Sequence, residues 1–160
     1  MKEQVTFTYE SFDDISELEA RDADLVELAR KATEKAYAPY SNFRVAAVAR
    51  MENGEIVYGT NQENASYPVG ICAERVLLSS ASMLHTNIPI DTIAISYHNQ
   101  NGESNRPVSP CGICRQSLSE YEDRTGKPIR LILSGMEGRI VVLESAGKLL
   151  PLSFGGADLK

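Results

Sequence analysis

The sequence predicts a single α/β domain in which helices pack on a sheet in layers. Three observations support this prediction. The chain has 160 residues with 42% hydrophobic content, which is enough for one domain with a core and rarely enough for two. Apolar residues recur at helical spacing in some segments and form short strand-like runs in others. These helix-like and strand-like segments alternate along the chain, as they do in layered α/β folds.

The chain begins with an acidic segment, residues 1–20, which we treat as a lead-in to a domain spanning 21–160. Val5, Phe7 and Tyr9 alternate with polar residues in this lead-in, which predicts a short strand. The first helix follows from Asp22, with the sequence "APYSN" ending it through its proline. The apolar residues at helical spacing are Leu25, Leu28, Ala29, Ala32 and Ala36.

A β-hairpin is predicted next, because "FRVAAVARM" and "EIVYGTN" flank the turn sequence "ENG". An Asn-Gly pair readily adopts the positive φ angles that tight hairpin turns need. A second helix is predicted over Gly70–Ala81 and a third from about Cys111 to Glu122. Two buried strands, "TIAISYH" and "RLILSG", lie before and after this third helix.

Two segments are predicted to be irregular. Residues 99–110, "NQNGESNRPVSP", are polar and rich in turn formers, as loops leading into functional sites often are. The tail "LLPLSFGGADLK" is not expected to form regular structure throughout its length.

Composition argues against several classes of function. The chain carries 22 acidic and 16 basic residues, for a net charge of −6 with no basic run, so a nucleic acid partner is not expected. Apolar runs are far shorter than the roughly 20 residues that span a bilayer, and the N-terminus carries no apolar signal region. We therefore expect a soluble cytoplasmic protein that acts on a small polar substrate.

The chain's three cysteines, Cys72, Cys111 and Cys114, predict a zinc site. Cys111 and Cys114 have the C-x₂-C spacing of zinc ligands, and the thiolates stand at predicted helix starts, where the helix dipole favours negative charge. Three protein ligands are typical of a catalytic zinc site with one open position, whereas structural sites have four. His85 or His98 could supply a fourth ligand, although neither lies in a ligand-spaced motif.

Glu74 lies two residues after a predicted zinc ligand, where its carboxylate can face the metal's open position without binding the metal. Zinc lowers the pKa of a water molecule, and a nearby glutamate can move protons between water and a substrate nitrogen. Nucleobase deaminases combine His or Cys before such a glutamate with a later P-C-x-x-C. This chain has "CAE" and "PCGIC".

Four segments in order resemble the cytidine deaminases of the small, homotetrameric, three-cysteine type. They are "YAPYSNFRVAAV", "GTNQENASYPVGICAER", "PCGICRQ" and "LLPLSFGGADL". The resemblance implies a three-layer αβα sandwich around a mixed sheet of about five strands. It also implies a homotetramer that hydrolyses cytidine and deoxycytidine to uridine and deoxyuridine, with release of ammonia, in pyrimidine salvage. Cys72, Cys111 and Cys114 correspond to the zinc ligands of that family.

The resemblance also implies roles for residues that contact the substrate. Asn61 and Glu63 would hold the ribose hydroxyls, and Phe43 would stack on the base. Without the resemblance, Phe43 would be interpreted as a core aromatic, and Asn61 and Glu63 as turn residues. The same motif adds substrate contacts from Asn64, Ala65 and Tyr67, with Tyr67 reaching the pocket of a neighbouring subunit.

Two further residues call for separate interpretation. Three thiolates leave a zinc site negatively charged, so we expect the Arg75 guanidinium to donate hydrogen bonds to sulfur, with a surface salt bridge as the alternative. Ala46 replaces the glycine that is usual in the family, and its methyl group is expected to shift the strand near Phe43.

Three alternative functions follow from the same motifs. A closed structural zinc module would need four protein ligands, and a deaminase of RNA or DNA would need a cationic groove. A deaminase of a modified or antibiotic cytosine nucleoside would share every motif.

Overall fold

The computed structural model describes all 160 residues and has a six-stranded mixed sheet at its centre. The strand order is β1-β6-β5-β4-β2-β3, in which β4 and β5 are parallel and all other neighbours are antiparallel. The strands are β1 (Glu10–Phe12), β2 (Phe43–Met51), β3 (Ile56–Thr60), β4 (Ile90–Asn99), β5 (Arg130–Leu133) and β6 (Ile140–Leu143). The helices are α1 (Ala20–Ala32), α2 (Ala73–Leu84) and α3 (Gly112–Thr125). None of the helices combines the length and the hydrophobicity that spanning a bilayer would require.

Side-chain alternation in the central strands divides the core into two layers. Ala46 and Val48 of β2 pack on one face with α1, whereas Ala47 and Ala49 face α2 and α3. The helices contribute Leu25, Val26, Ala29 and Ala32 from α1, Leu77, Leu78 and Ala81 from α2, and Leu118 and Tyr121 from α3. The predicted three-layer αβα arrangement is therefore confirmed, with six strands instead of five.

The predicted hairpin is confirmed, because β2 and β3 pair antiparallel around residues 52–54. Only Gly54 of the Asn-Gly pair has a positive φ, of 86°. The Gly54 N–H donates to the Met51 carbonyl and the Met51 N–H donates to the Glu55 carbonyl. This is the three-residue hairpin loop in which a glycine closes the turn with a bulge.

The N-terminal segment differs from the sequence prediction. The strand predicted over Val5, Phe7 and Tyr9 does not form, and the strand is Glu10–Phe12 instead. Its partner β6 was not predicted; β6 has four residues, and β1 pairs only with Ile140–Val142 of it. A short edge strand depends on a distant partner, which local alternation does not reveal.

Helix boundaries differ by a few residues. Helix α1 ends at Ala32, and a 3₁₀ turn over Thr33–Lys35 follows, so Ala36 lies outside the helix. Helix α2 begins at Ala73 and α3 at Gly112, each directly after a cysteine.

The loop 99–110 is irregular, as predicted, and is held against the turn that follows β5. The Ser104 hydroxyl accepts from the Asn99 N–H at 2.8 Å, and the Ser104 carbonyl accepts from the Glu137 N–H at 3.2 Å. A Cβ on Gly135 would lie 2.1 Å from the Ser104 carbonyl oxygen, so only glycine permits this approach. These contacts fix the conformation of the loop and therefore the position at which Cys111 enters the site.

Helix α2 lies very close to strand β3. A Cβ on Gly59 would lie 2.3 Å from the Ala73 carbonyl oxygen and 2.4 Å from the Leu77 nitrogen. The absence of a side chain at Gly59 therefore sets the position of the first turns of α2.

A buried ion network connects α1 to the sheet at the end opposite the start of β2. Asp22 is 4% exposed and accepts hydrogen bonds from Arg50 and Arg130. Arg50 also donates to Asp91 at 3.1 Å, and Arg130 donates to the exposed Glu144 at 3.2 Å.

Candidate functional site

Three cysteine sulfurs meet where α2 and α3 begin. The Cys72 and Cys111 sulfurs are 3.9 Å apart, and the Cys111 and Cys114 sulfurs are 3.5 Å apart. All three lie within 4.8 Å of one another as free cysteines, and no histidine, aspartate or glutamate belongs to the cluster. His85 and His98, considered above as a fourth ligand, are outside it.

The spacing of the sulfurs fits a zinc ion. Two sulfurs that each lie about 2.3 Å from zinc at a tetrahedral angle are about 3.8 Å apart. The two sulfur–sulfur separations, 3.5 and 3.9 Å, lie on either side of that value. The neighbouring Cys114 thiol lowers the pKa of Cys72 to about 6, while the same contact and burial raise the pKa of Cys114. The cluster thus favours a thiolate, which is the form that binds metal.

Local structure explains why the sulfurs converge. Cys72 and Cys111 are the N-cap residues of α2 and α3, and neither side chain caps the backbone N–H groups of its helix, so both sulfurs are free to face each other. Cys114 lies one turn into α3 and is fully buried. Backbone hydrogen bonds between Gln62 and Ile71, at 2.9 and 3.0 Å, hold Cys72 next to the segment that carries the predicted sugar-binding residues.

Glu74 lies in the first turn of α2 and is only 5% exposed. Burial raises the pKa of its carboxyl above the ordinary value. The side chain lines a cavity of about 210 Å³ together with two of the three cysteines, Cys72 and Cys111. Because its pKa is raised, the carboxyl of Glu74 holds a proton more readily than an exposed glutamate does, which suits a group that takes up and releases protons.

The inner cavity has mainly apolar walls. Phe43 lines it, and the Phe43 ring stacks on Tyr97 with centroids 4.8 Å apart and planes 11° apart. The other lining residues are Val45, Asn61, Ala73, Ile95, Val108 and Ser109. A flat, weakly polar ring is the kind of group that such walls accept.

A wider groove of about 680 Å³ adjoins the inner cavity, and Asn61 and Cys72 line both spaces. Glu63 lines this groove, and its Oε2 accepts hydrogen bonds from the N–H groups of Tyr40 and Ser41, at 2.9 and 3.3 Å. Its Oε1 accepts from the Ser41 hydroxyl. These contacts, the Ser41 hydroxyl first among them, lower the pKa of Glu63.

Asn61 connects strand β3 to the start of β2. Its Oδ1 accepts from the Val45 N–H at 2.8 Å, and its Nδ2 donates to the Phe43 carbonyl at 2.9 Å. The amide keeps one N–H and one lone pair for a ligand. Asn61 therefore positions Phe43 as well as facing the groove.

The remaining predicted substrate contacts are exposed. Asn64, Ala65 and Tyr67 line the wider groove, and Tyr67 is 92% exposed. The Asn64 Oδ1 accepts from the Ser66 N–H at 2.8 Å, which stabilises the turn that carries them.

Arg75 does not donate a hydrogen bond to sulfur in this structure. Its side chain lines a groove between α2 and α3 together with Ser82, Glu120 and Arg124. Its positive charge still contributes, as the smallest of several causes, to lowering the pKa of Cys72. It also forms no salt bridge, so the alternative interpretation is not realised either.

The Ala46 methyl group lies on the α1 face of the sheet, away from the cavity that Val45 lines. β2 also remains regular between Phe43 and Arg50. The strand therefore runs past Ala46 without a bulge near Phe43.

Sequence reasoning missed several residues that shape the site. Val45 shares the face of Phe43 two residues away, so strand alternation could have identified it. Ile95 and Tyr97 depend on the register between β2 and β4, which the sequence does not show. For Ser41, the sequence contained no pattern that indicated a role in the site, apart from its position in the segment "YAPYSNFRVAAV".

Comparison with known proteins gives consistent similarities. The family model for the cytidine and deoxycytidylate deaminase zinc-binding region matches residues 19–126. Cytidine deaminase of Halalkalibacterium halodurans is 36% identical over 135 residues, which cover 84% of this chain and 95% of that protein. Blasticidin-S deaminase of Bacillus cereus is 33% identical over 139 residues, covering 84% and 92%. The crystal structure of cytidine deaminase from Burkholderia pseudomallei matches with a TM-score of 0.71 and 41% identity, covering 86% of this chain and 100% of that one.

Proposed function

Because the chain belongs to the cytidine and deoxycytidylate deaminase family, we propose that it hydrolyses cytidine and deoxycytidine to uridine and deoxyuridine with release of ammonia. It is an enzyme of this family, and its cofactor is zinc. The main evidence for a nucleoside substrate is that the inner cavity and the wider groove adjoin each other beside the cysteine cluster.

The inner cavity and the wider groove differ in polarity, as the base and the sugar of a nucleoside do. The inner cavity combines apolar walls with the buried carboxyl of Glu74, which suits a flat base carrying an amino group. The wider groove carries Asn61 and Glu63, which suit a sugar. Because the two spaces share Asn61 and Cys72, one molecule can occupy both while its base reaches the cysteines.

The cysteines and Glu74 divide the chemistry between them. Cys72, Cys111 and Cys114 would hold a zinc ion, which supplies an activated water nucleophile. As the oxygen of the attacking water bonds to C4 of the ring, Glu74 takes one of its protons and delivers it to N3. The second proton of the water passes from the C4 hydroxyl to the exocyclic nitrogen, the bond between C4 and that nitrogen breaks, and ammonia leaves a C4 carbonyl on the ring. Burial suits Glu74 to this work, because its raised pKa stabilises the protonated carboxyl between the two transfers.

Hydrogen-bond capacity suggests how much of the sugar is recognised. A carboxylate has about four acceptor positions, and three of those on Glu63 are filled by Tyr40 and Ser41. Asn61 has one N–H left. The free acceptor position of Glu63 and the free N–H of Asn61 suffice for one hydroxyl, a lone pair on Asn61 Oδ1 also remains, and the resemblance assigns the 3′ side of the sugar to this pair. We therefore expect the 2′-hydroxyl to matter little.

The assembly and setting of the enzyme are part of the same proposal. The resemblance favours a homotetramer, and the 92% exposure of Tyr67 suits a side chain that a second subunit covers. Light scattering after size-exclusion chromatography tests this. Three free thiols as metal ligands suit a reducing compartment, so we propose the cytoplasm and a role in pyrimidine salvage.

A substrate panel on one zinc-loaded preparation tests the function. We expect cytidine and deoxycytidine to have similar kcat/KM, and free cytosine to be very poor because Glu63 would lose a ligand donor. dCMP should be rejected, since no lysine or arginine lines the groove. Preference for dCMP or cytosine would contradict the roles of Asn61 and Glu63. Preference for blasticidin S would favour the antibiotic-nucleoside alternative.

A further inference from the structure

Ser41 connects the residue predicted to hold the sugar to the residue predicted to hold the base. Its hydroxyl donates to Oε1 of Glu63 and accepts from the N–H of Phe43 at 3.0 Å. Its own N–H donates to Oε2 of Glu63 at 3.3 Å. The hydroxyl of this exposed serine therefore contacts both Glu63 and Phe43, and its backbone N–H also contacts Glu63.

The backbone around Glu63 fixes the position of the segment but not the direction of the Glu63 side chain. Glu63 lies outside the helices and strands, on a segment that is hydrogen-bonded through its backbone to Tyr37 on one side and to Ile71 on the other. The turn that presents Ser41 is itself defined by Asn42, whose φ is 54° and whose N–H donates to the Ala38 carbonyl at 3.0 Å. The direction of the Glu63 carboxylate is therefore set mainly by the Tyr40–Ser41 backbone and by the Ser41 hydroxyl.

We propose that Ser41 is a positioning residue for sugar recognition: its hydroxyl fixes the Glu63 carboxylate relative to the Phe43 ring. The inference rests on the proposed function and assigns a role that sequence motifs alone do not. With the carboxylate held by three hydrogen bonds, its one remaining acceptor position points in a defined direction. A nucleoside then binds without having to order that side chain, which reduces the cost of binding.

Electrostatics supports the same arrangement. The Ser41 hydroxyl is the largest cause of the lowered pKa of Glu63, so the carboxylate remains ionised and acceptor-only in the presence of substrate. Removing the hydroxyl would leave Oε1 without its partner, so only the two backbone hydrogen bonds to Oε2 would hold the carboxylate. The contact matters for direction more than for stability, because Ser41 lies at the surface.

The test compares a substrate that has the sugar hydroxyls with one that lacks them. Ser41→Ala should raise KM for cytidine about tenfold, as expected for loss of a hydrogen bond to a charged group, with kcat changed less than about threefold. KM for 2′,3′-dideoxycytidine, which offers Glu63 no ring hydroxyl, should stay within about twofold. Ser41→Thr, which keeps the hydroxyl, should restore cytidine binding. Ser117→Ala removes a hydroxyl that bonds only within α3 and serves as the matched control.

A double-mutant cycle separates positioning from a general structural effect. In a Glu63→Gln background, Ser41→Ala should change KM for cytidine by less than about twofold, because the carboxylate it positions is gone. Equal losses for cytidine and dideoxycytidine, or full additivity with Glu63→Gln, would overturn this inference while leaving the deaminase function intact. Failure of the zinc-loaded wild type to deaminate cytidine would overturn the proposed function and this inference together.

Discussion

At the scale of single residues, Glu74 and Cys72 show how the fold gives ordinary side chains unusual properties. The first turn of α2 buries the Glu74 carboxyl, which raises its pKa, while the neighbouring thiols lower that of Cys72. Two groups two residues apart are thus shifted in opposite directions. Such divergence is characteristic of catalytic centres, where one group must keep a proton and another must lose it.

Glu74→Gln should abolish proton transfer while preserving the shape of the cavity. We expect kcat/KM for cytidine to fall at least about a hundredfold, the usual contribution of general acid–base catalysis, with one zinc per chain retained. Steady-state kinetics and metal analysis measure the two quantities. Glu120→Gln, on the exposed side of α3, is the control. Near-normal turnover by a zinc-loaded Glu74→Gln enzyme would contradict the role of Glu74.

Arg75 is expected to act through charge, because no hydrogen bond joins it to sulfur. Arg75→Gln should lower kcat about tenfold, within the range for residues that tune metal ligands, and should change KM for cytidine by less than about twofold. Arg124→Gln is the matched control, because Arg124 lines the same groove but stacks over Tyr121 at 4.6 Å. If kcat and zinc content were both unchanged in Arg75→Gln, Arg75 would be an ordinary surface charge.

At the scale of elements, the sequence predicted those parts of the fold whose signals are local. Helices α2 and α3 begin within one to three residues of the predicted positions, and the β2–β3 hairpin follows from its turn and flanking strands. Strands β1 and β6 were not predicted in place. Strand β1 has three residues and its partner lies more than a hundred residues away, and β6 has only four residues. The cysteine cluster was accessible to prediction through spacing, whereas the Ser41–Glu63 contact requires two irregular segments to be placed in space.

Gly59→Ala tests the close approach of β3 and α2. The added methyl group would overlap backbone atoms of Ala73 and Leu77, and backbone cannot rotate away as a side chain can. We expect a loss of about 1–3 kcal/mol in the free energy of unfolding, together with weaker zinc binding as α2 moves Cys72. Urea denaturation and competition with a zinc chelator measure both. Gly156→Ala, where a methyl group meets no atom within 4 Å, should have neither effect, and equal behaviour of the two variants would contradict the prediction.

At the scale of the whole molecule, one end of the central sheet borders the ligand cavity and the other end contributes to stability. Strand β2 starts at the cavity with Phe43 and runs to Arg50 in the ion network of Asp22. The first end borders the cavity and is open to a ligand. The second joins helix α1 to three strands through buried charge, which lies far from the chemistry.

Asp22→Asn tests the structural role of that second end. Removing the carboxylate leaves the Arg50 and Arg130 guanidinium groups without their buried partner, and breaking such a network costs about 3–5 kcal/mol. Glu144→Gln, which removes a partner of Arg130 that is 69% exposed, should cost less than about 1 kcal/mol. Denaturant unfolding of both variants gives the comparison. Similar losses in the two would show that the network is not a major source of stability.

The placement of the cysteines on two helices also orders events during biosynthesis. Cys72 and Cys111 are 39 residues apart, and strand β4 must join the sheet before their sulfurs can meet. A growing chain therefore exposes Cys72 to the cell long before its partners have been synthesised. Zinc that bound before Cys111 was synthesised would have only one thiol to hold it, so all three ligands become available only after β2, β3 and β4 have been synthesised. Once bound, the ion closes a loop of the chain as a cross-link does, and it should slow amide hydrogen exchange in the first turns of α2 and α3 together.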